Sequence, residues 1–313
     1  MRLREARRAM SAEARAPGAR PTVSVVTPSL NQGRFIGATL HSVVEQDYPG
    51  LEHQVIDGGS KDETLAVLRA AARPSLAWVS ENDRGQAHAL NKGIARTSGE
   101  IIAWINSDDV YYPGAISAAA GFLEQHPQVD VVYGAADHID ESGAVLADYP
   151  TEPFDLERLS EVCFICQPAA FFRRSCVTRY GPFDERLHYC MDYEFWLRLA
   201  RAGATFAYLP VKLAGSRLHK DAKTLSARVA IQRETIEMFR RLEGRVPEHW
   251  LLDYAHAEAS ARVDRTRHPW AFYARAGALA LYAYLRWPHR ASPALRRDLR
   301  ARFRARLLGA LRG

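Results

Sequence analysis

The 313-residue chain is 47% hydrophobic and 25% charged, with a formal net charge of +6. It is long enough for one large or two ordinary domains with a substantial core, its charge favours anionic ligands, and no run reaches the ~18–20 apolar residues needed to cross a membrane. Residues 1–20 are rich in Arg and Ala with no apolar stretch, so a basic disordered arm is expected there rather than a secretory leader. The four cysteines, Cys163, Cys166, Cys176 and Cys190, cluster in the middle of the chain. One Cys-x-x-Cys pair without a second, and without a strand-helix redox context, reads as buried thiols in a reducing compartment.

Val23 to Thr27 is a β-branched apolar run, ended by Pro28-Ser29-Leu30-Asn31-Gln32-Gly33. Phe35, Ile36, Leu40, Val43 and Val44 then recur at helical spacing. Gln54 to Asp57 gives a second strand, closed by Gly58-Gly59-Ser60, with a helix from Asp62 through Leu68. Leu76 to Val79 is a third strand; Asp83-Arg84-Gly85-Gln86 leads from it into a helix carrying Ala89, Leu90 and Ile94. The fourth run, Ile101 to Ile105, stops abruptly at Asn106-Ser107-Asp108-Asp109. Strands alternating with helices predict a mostly parallel central sheet with right-handed crossovers. Beyond Asp109 the pattern predicts a helix from Pro113 through Phe122 and a strand over Val129 to Gly134. A hairpin around Glu141-Ser142-Gly143 and a strand over Pro168 to Phe172 follow. Asp192 opens a helix, Thr205 to Leu209 is the last strand, and everything from about Ser226 onward reads as helical.

The chemistry concentrates where the early strands end. In open α/β sheets, ligands bind beyond the carboxyl ends of the strands. Those ends carry Pro28, Ser29 and Asn31, then Asp57 with two glycines, then Asp83 and Gln86, then Asp108 and Asp109. Paired carboxylates at such a rim suit Mg²⁺ or Mn²⁺ together with a phosphorylated ligand, because such cations are held by one or two carboxylates plus phosphate oxygens. Each segment alone has a plain alternative: a solvated turn for Asp108-Asp109, a tight turn for Gly58-Gly59, a helix cap for Asp83. Their convergence on one edge is what favours a nucleotide site.

In their order and spacing, five motifs resemble family-2 glycosyltransferases of the GT-A fold. They are Thr27-Pro28-Ser29-Leu30-Asn31; Val55 to Asp62; Asp83-Arg84-Gly85-Gln86 with Asn91-Lys92-Gly93; Asn106-Ser107-Asp108-Asp109; and Met191 to Arg198. The resemblance covers about residues 22–225. It implies an α/β fold with a mostly parallel central sheet flanked by helices, followed by a C-terminal helical extension. It implies a nucleotide half over about 21–110, an acceptor half over about 111–225 and a helical region over 226–313. By the same resemblance, Pro28, Ser29, Asn31, Asp57, Asp83, Arg84, Gln86, Asn91 and Asp108 line the nucleotide pocket. Asp109 becomes the direct metal ligand, with His219 of the basic loop Arg217 to Thr224 as a further candidate. Asp192 becomes the catalytic base. The family's Asp-x-Asp is here Ser107-Asp108-Asp109, and Met191 stands where an acid often precedes the base. The physical case for Asp192 is separate: a sugar hydroxyl needs a base within hydrogen-bond reach. The plain alternative is a helix N-cap.

Leu295, Leu299, Phe303, Leu307 and Leu311 make an i+4 apolar stripe among arginines, downstream of an aromatic segment from Trp270 to Trp287. A basic amphipathic helix beside such a segment reads as an anionic membrane-surface anchor; a helical cap packed on the catalytic domain is the alternative. No nucleic-acid motif accompanies the charge. The expectation is therefore a cytoplasmic, inverting, metal-dependent glycosyltransferase, peripheral on the inner membrane face. It would use a UDP- or dTDP-sugar donor and a glycan or lipid-linked hydroxyl acceptor. Its rivals are a non-catalytic nucleotide-sugar-binding module and a sugar-phosphate nucleotidyltransferase; the latter needs a Gly-rich basic loop after the first strand, which Pro28 to Gln32 is not.

Overall fold

The computed structural model describes residues 20–220 and 227–290. In chain order, its first half runs β1 (Val23–Ser29), α1 (Ile36–Val44), β2 (Leu51–Asp57), α2 (Thr64–Ala70), β3 (Leu76–Ser80), α3 (Gln86–Ala95) and β4 (Ile101–Trp104). The second half runs β5 (Val110–Tyr111), α4 (Ala115–Gln125), β6 (Val131–Ile139), β7 (Val145–Asp148), α5 (Leu156–Leu159), β8 (Ala170–Arg173), α6 (Ser175–Tyr180), α7 (Met191–Arg201) and β9 (Phe206–Arg217). The C-terminal part is α8 (Arg228–Glu243), β10 (Val246–Pro247), α9 (Glu248–Ser260), α10 (Pro269–Arg286) and β11 (His289–Arg290).

Nine strands form one sheet in the order β3-β2-β1-β4-β8-β6-β9-β5, with β7 paired to β6. β1, β2, β3 and β4 are mutually parallel, as the alternating pattern predicts. β8 then inserts antiparallel to both β4 and β6, and β5 runs antiparallel to β9. Direction is therefore mixed in the second half. An antiparallel strand on an otherwise parallel sheet is common in large α/β folds. β1 and β4 are buried along their full lengths, which is why they read as continuous apolar runs.

β9 extends to Arg217, well past the predicted end at Leu209, and β6 reaches Ile139. This matters for the site, because the long β6–β9 pairing carries Arg217 and His138 to the cleft edge. The C-terminal part holds one short strand pair, β10 with β11, among its helices. Helices α8 and α9 join the core around α7 through Ile236, Met238, Phe239, Leu251 and Tyr254. The four cysteines are free thiols, three of them buried. Among the described residues no helix is long and apolar enough to cross a membrane. The basic arm over residues 1–19 and the Leu295–Leu311 stripe lie outside the described residues.

Candidate active site

A cleft of about 660 Å³ opens at the carboxyl ends of β1, β4 and β6. Pro28, Ser29, Asp83, Gln86, Asp108, Asp109 and Asp192 all line it, drawn from segments more than 160 residues apart. Of the remaining residues expected in the pocket, several serve the walls instead. Asn31, held at φ 53, accepts from the Lys61 N–H at 2.8 Å, and its own N–H donates to Ser60 Oγ at 2.7 Å, so it stitches the first loop to the second. Asn tolerates this left-handed conformation better than most residues. Asn91 clamps the 183–185 segment, bonding the Phe183 N–H and C=O at 3.0 Å each. Arg84 pairs with Glu185 on the outer rim.

Asp57 is fully buried. Its carboxylate accepts from the Gly59 N–H at 3.1 Å, the Ser60 N–H at 3.0 Å, Ser80 Oγ at 2.6 Å and Ser60 Oγ. It thereby shapes the turn against which Asp83 rests. A Cβ at Gly58 would stand 2.8 Å from Asp83 Oδ2, so glycine there is required by close approach. Asp83 Oδ1 in turn accepts the Gly85 N–H at 2.8 Å.

Asp109 lies deeper. Its backbone carbonyl accepts from Thr39 Oγ1 at 2.7 Å. Its carboxylate accepts from the Arg217 N–H at 2.8 Å and from Asn106 Nδ2 at 3.3 Å. Gln86 Nε2 and Trp104 Nε1 donate to Asn106 Oδ1 at 2.6 and 2.8 Å, which fixes the orientation of that amide. Arg217 is the organiser of this corner. Its guanidinium bonds the carbonyls of Asp108 (2.7 Å), Asp140 (2.6 Å) and Glu141 (2.9 Å) and lies 5.3 Å from the Phe35 ring. Because those bonds go to carbonyls, no arginine or lysine side chain pairs with Asp109 among the described residues. Burial pushes the Asp109 carboxyl well up, and the neighbouring Asp108 carboxylate adds to this. His219 Nε2 sits 3.0 Å from Asp108 Oδ2, its ring against Phe35.

Two adjacent carboxylates, one deeply buried and lacking a side-chain cation, fit a divalent ion. Among the described residues no three His, Cys, Asp or Glu side chains converge to form a complete protein cage. The donor set thus suits a cation that completes its shell with ligand phosphates and water.

Asp192 occupies the first turn of α7 and lines the same cleft. It is not the cap: Cys190 holds that position. The orphan N–H groups before the helix go to Glu234 of α8, which accepts from His188 at 2.8 Å, Tyr189 at 2.6 Å and Cys190 at 2.9 Å. Asp192 accepts the N–H of Tyr193 at 2.8 Å. Helix α7 is fixed by Phe195, stacked 4.2 Å from Phe183 and edge-on to Phe172 at 5.3 Å. Cys166 and Tyr149 line the cleft with Asp109 and Asp192. Burial pushes the Cys166 thiol up, with both carboxylates contributing, and the Tyr149 hydroxyl is raised in the same way.

Sequence reasoning missed His138, Tyr149 and Gln167, which also line the cleft. Gln167 Nε2 donates to the Trp104 carbonyl at 2.6 Å, leaving its Oε1 buried and unpartnered. No local pattern marks these residues; only the β6–β9 pairing and the β4–β8 junction bring them in.

The family model described as "Glycosyl transferase family 2" matches residues 24–181. An uncharacterised glycosyltransferase of Rickettsia typhi is 30% identical over 217 residues, 65% of this chain and 66% of that one; the aligned stretch thus spans just under two thirds of that relative. A PGL/p-HBAD biosynthesis glycosyltransferase of Mycobacterium tuberculosis is 30% identical over 189 residues, covering 58% of this chain and 70% of the relative. Among solved structures, the Pyrobaculum calidifontis mannosyltransferase PcManGT, in complex with GDP-Man and Mn²⁺, superposes with a TM-score of 0.60 at 24% identity, covering 98% of this chain and 88% of the other. The fold is the GT-A fold those motifs imply, and the chain belongs to glycosyltransferase family 2.

Proposed function

We propose that this protein is an inverting glycosyltransferase that moves a sugar from a nucleoside-diphosphate donor, UDP- or dTDP-linked, to a hydroxyl of a cell-surface glycan or glycolipid acceptor. The observation that carries this reading is that Asp108, Asp109 and Asp192 line one cleft together with the strand-end residues Pro28, Ser29, Asp83 and Gln86. The nucleotide lies along Pro28, Ser29, Asp83 and Gln86, over the turn that Asp57 and Asn31 hold. Asp192 accepts the proton of the acceptor hydroxyl. That oxygen bonds the anomeric carbon from the face opposite the diphosphate, and the carbon–phosphate-oxygen bond breaks with its electron pair leaving on the diphosphate. A divalent cation, Mn²⁺ or Mg²⁺, bound at Asp109 beside Asp108 and His219 would supply charge stabilisation for that leaving group. Asn106 and the Arg217 N–H keep Asp109 aimed. The neighbour solved with GDP-Man and Mn²⁺ supports a nucleoside-diphosphate sugar as donor, and the relative named for PGL/p-HBAD biosynthesis supports an acceptor in cell-surface glycan assembly.

Turnover of a nucleotide-sugar panel, followed by mass spectrometry, tests this. UDP- or dTDP-sugars should be consumed, and Asp192→Asn should lower kcat by about 10²- to 10⁴-fold, the usual worth of general-base catalysis, while donor binding persists. Near-normal turnover by Asp192→Asn reassigns that carboxylate to a structural role. Binding without any turnover favours the non-catalytic module.

A second reading concerns location. Helix α10 turns an apolar face outward, with Trp270 88%, Leu281 62% and Leu285 81% exposed. Exposed apolar surface of that kind marks an interaction site. Arg262, Arg265 and Arg267 precede it, Arg286 is its last residue and Arg290 follows. We assign this face to an anionic membrane, where a lipid-linked acceptor would meet donor from the cytoplasm. Co-sedimentation with phosphatidylglycerol vesicles should rise with anionic lipid, fall with salt and weaken by about tenfold or more in Leu281→Glu/Leu285→Glu, since burying each Leu is worth about 1.5–3 kcal/mol. A parent protein that ignores such vesicles sinks the assignment.

A further inference from the structure

His138 stands on β6 opposite Ser216 of β9, the residue before the Arg217 whose N–H holds Asp109. Its strand neighbours point elsewhere. Asp137 bonds the Tyr112 hydroxyl at 2.9 Å and Lys212 Nζ at 2.6 Å, and Ile139 is buried. Strand alternation therefore turns His138 to the cleft. Its ring packs against Tyr149, 4.9 Å between centroids. Nδ1 is buried and unpartnered. A buried N–H without an acceptor is rarer than a bare lone pair, so the proton belongs on Nε2, the ring nitrogen left to the cleft. Burial holds the imidazole below its ordinary value, with Asp137 pulling the other way, which keeps it neutral near pH 7. His138 is thus a fixed, uncharged hydrogen-bond donor. Tyr149 behind it lines the same cleft as Asp109 and Asp192.

In the transfer reaction the moving sugar has to lie between the leaving diphosphate at Asp109 and the base at Asp192. We propose that His138, backed by Tyr149, is a specificity-determining residue that donates from Nε2 to a hydroxyl of the transferred sugar. The inference rests on reading the cleft as a nucleotide-sugar site. A neutral donor selects a neutral sugar with a hydroxyl at that position. A site built to bond a hydroxyl strongly rejects the analogue without it, because its own polar group is then left unpaired.

The test uses the full chain, its His138→Phe and His138→Gln variants, and the probes UDP, dTDP, UDP-glucose, UDP-galactose, UDP-N-acetylglucosamine and dTDP-rhamnose with Mn²⁺. Binding is followed by calorimetry and turnover by mass spectrometry. Nucleoside-diphosphate affinity should be the same in all three proteins. Affinity for the preferred nucleotide sugar should fall about tenfold in His138→Phe, the preference among sugars should narrow by a similar factor, and His138→Gln should recover part of both. Unchanged sugar preference overturns the proposal, as does a loss confined to the KM of the acceptor. Weaker UDP binding in both variants also overturns it, by making His138 part of the diphosphate site. If the parent itself binds no nucleoside diphosphate, it is the reading of the cleft that fails.

Discussion

The turn after β2 and the loop after β4 each bury a carboxylate at the end of a parallel strand, and the two carboxylates are treated in opposite ways. Asp57 is enclosed by four donors, two backbone and two hydroxyl. Asp109 has two, one of them at 3.3 Å, and the Asp108 carboxylate beside it opposes its charge more than the Arg217 guanidinium relieves it. A carboxylate whose bonds are complete is part of the scaffold. One that is buried and underprovided is poised for something the chain itself does not supply. The contrast teaches that burial alone does not identify a site; the completeness of its bonding does.

The larger effect should come from breaking the Asp109 side. Asp109→Asn should reduce Mn²⁺-supported nucleotide affinity by at least about 10- to 100-fold, the loss seen even for outer partners of metal ligands, down to the level of the parent in EDTA. Calorimetric titration of UDP and dTDP checks this, and equal affinity in the parent with Mn²⁺, the parent with EDTA and the variant removes the cation from this loop. The same variant has a stability signature. The Asp109 carboxyl is raised above its ordinary 3.8, so without cation its contribution to folding is full below 3.8 and is lost as pH climbs through the raised value. In EDTA at neutral pH the variant should therefore melt higher than the parent, and the difference should shrink on acidification. Mn²⁺ should raise the melting temperature of the parent only.

The smaller effect should come from the Asp57 side. Asp57→Asn replaces one acceptor oxygen with an amide facing donors, which costs about 1–3 kcal/mol of stability. Denaturant unfolding measures this. If Asp57 acts by holding the turn, affinities for UDP, dTDP and GDP should fall together. A change in their ratio would make it a direct reader of the base and blur the contrast drawn above.

Much of the nucleotide half was legible in the chain because β1 to β4 are short apolar runs, each ended by a polar loop. The limits of β6 and β9 were not. Pro210 reads as a break and Pro210, Val211 and Lys212 are exposed within β9, so the run reads as stopping at Leu209 although Leu213 and Ala214 beyond it are buried. Periodicity also carries no direction, which is why the antiparallel β8 was not foreseen. At the site, residue type and order pointed to Asp83, Asp108, Asp109 and Asp192 at the cleft. The enclosure of Asp57 depends on Ser60 and Ser80, three and 23 positions away, and His138 reaches the cleft only through strand pairing. That Cys190 rather than Asp192 takes the cap position could not be read from the sequence, nor could the mooring of the 188–190 amides, because Glu234 comes from 44 to 46 residues further along.

That reach of Glu234 has a consequence for how the chain can be cut or recombined. The family match ends at residue 181, yet the segment that precedes Asp192 is moored by a carboxylate on α8, outside the matched stretch. A fragment ending before α8 would keep strands β1 to β4 but leave the 188–190 loop with its amides unanswered. Exchanging C-terminal helices between relatives would therefore transplant part of what holds the start of α7, and with it Asp192, along with the exposed face of α10, and the two would be inherited together.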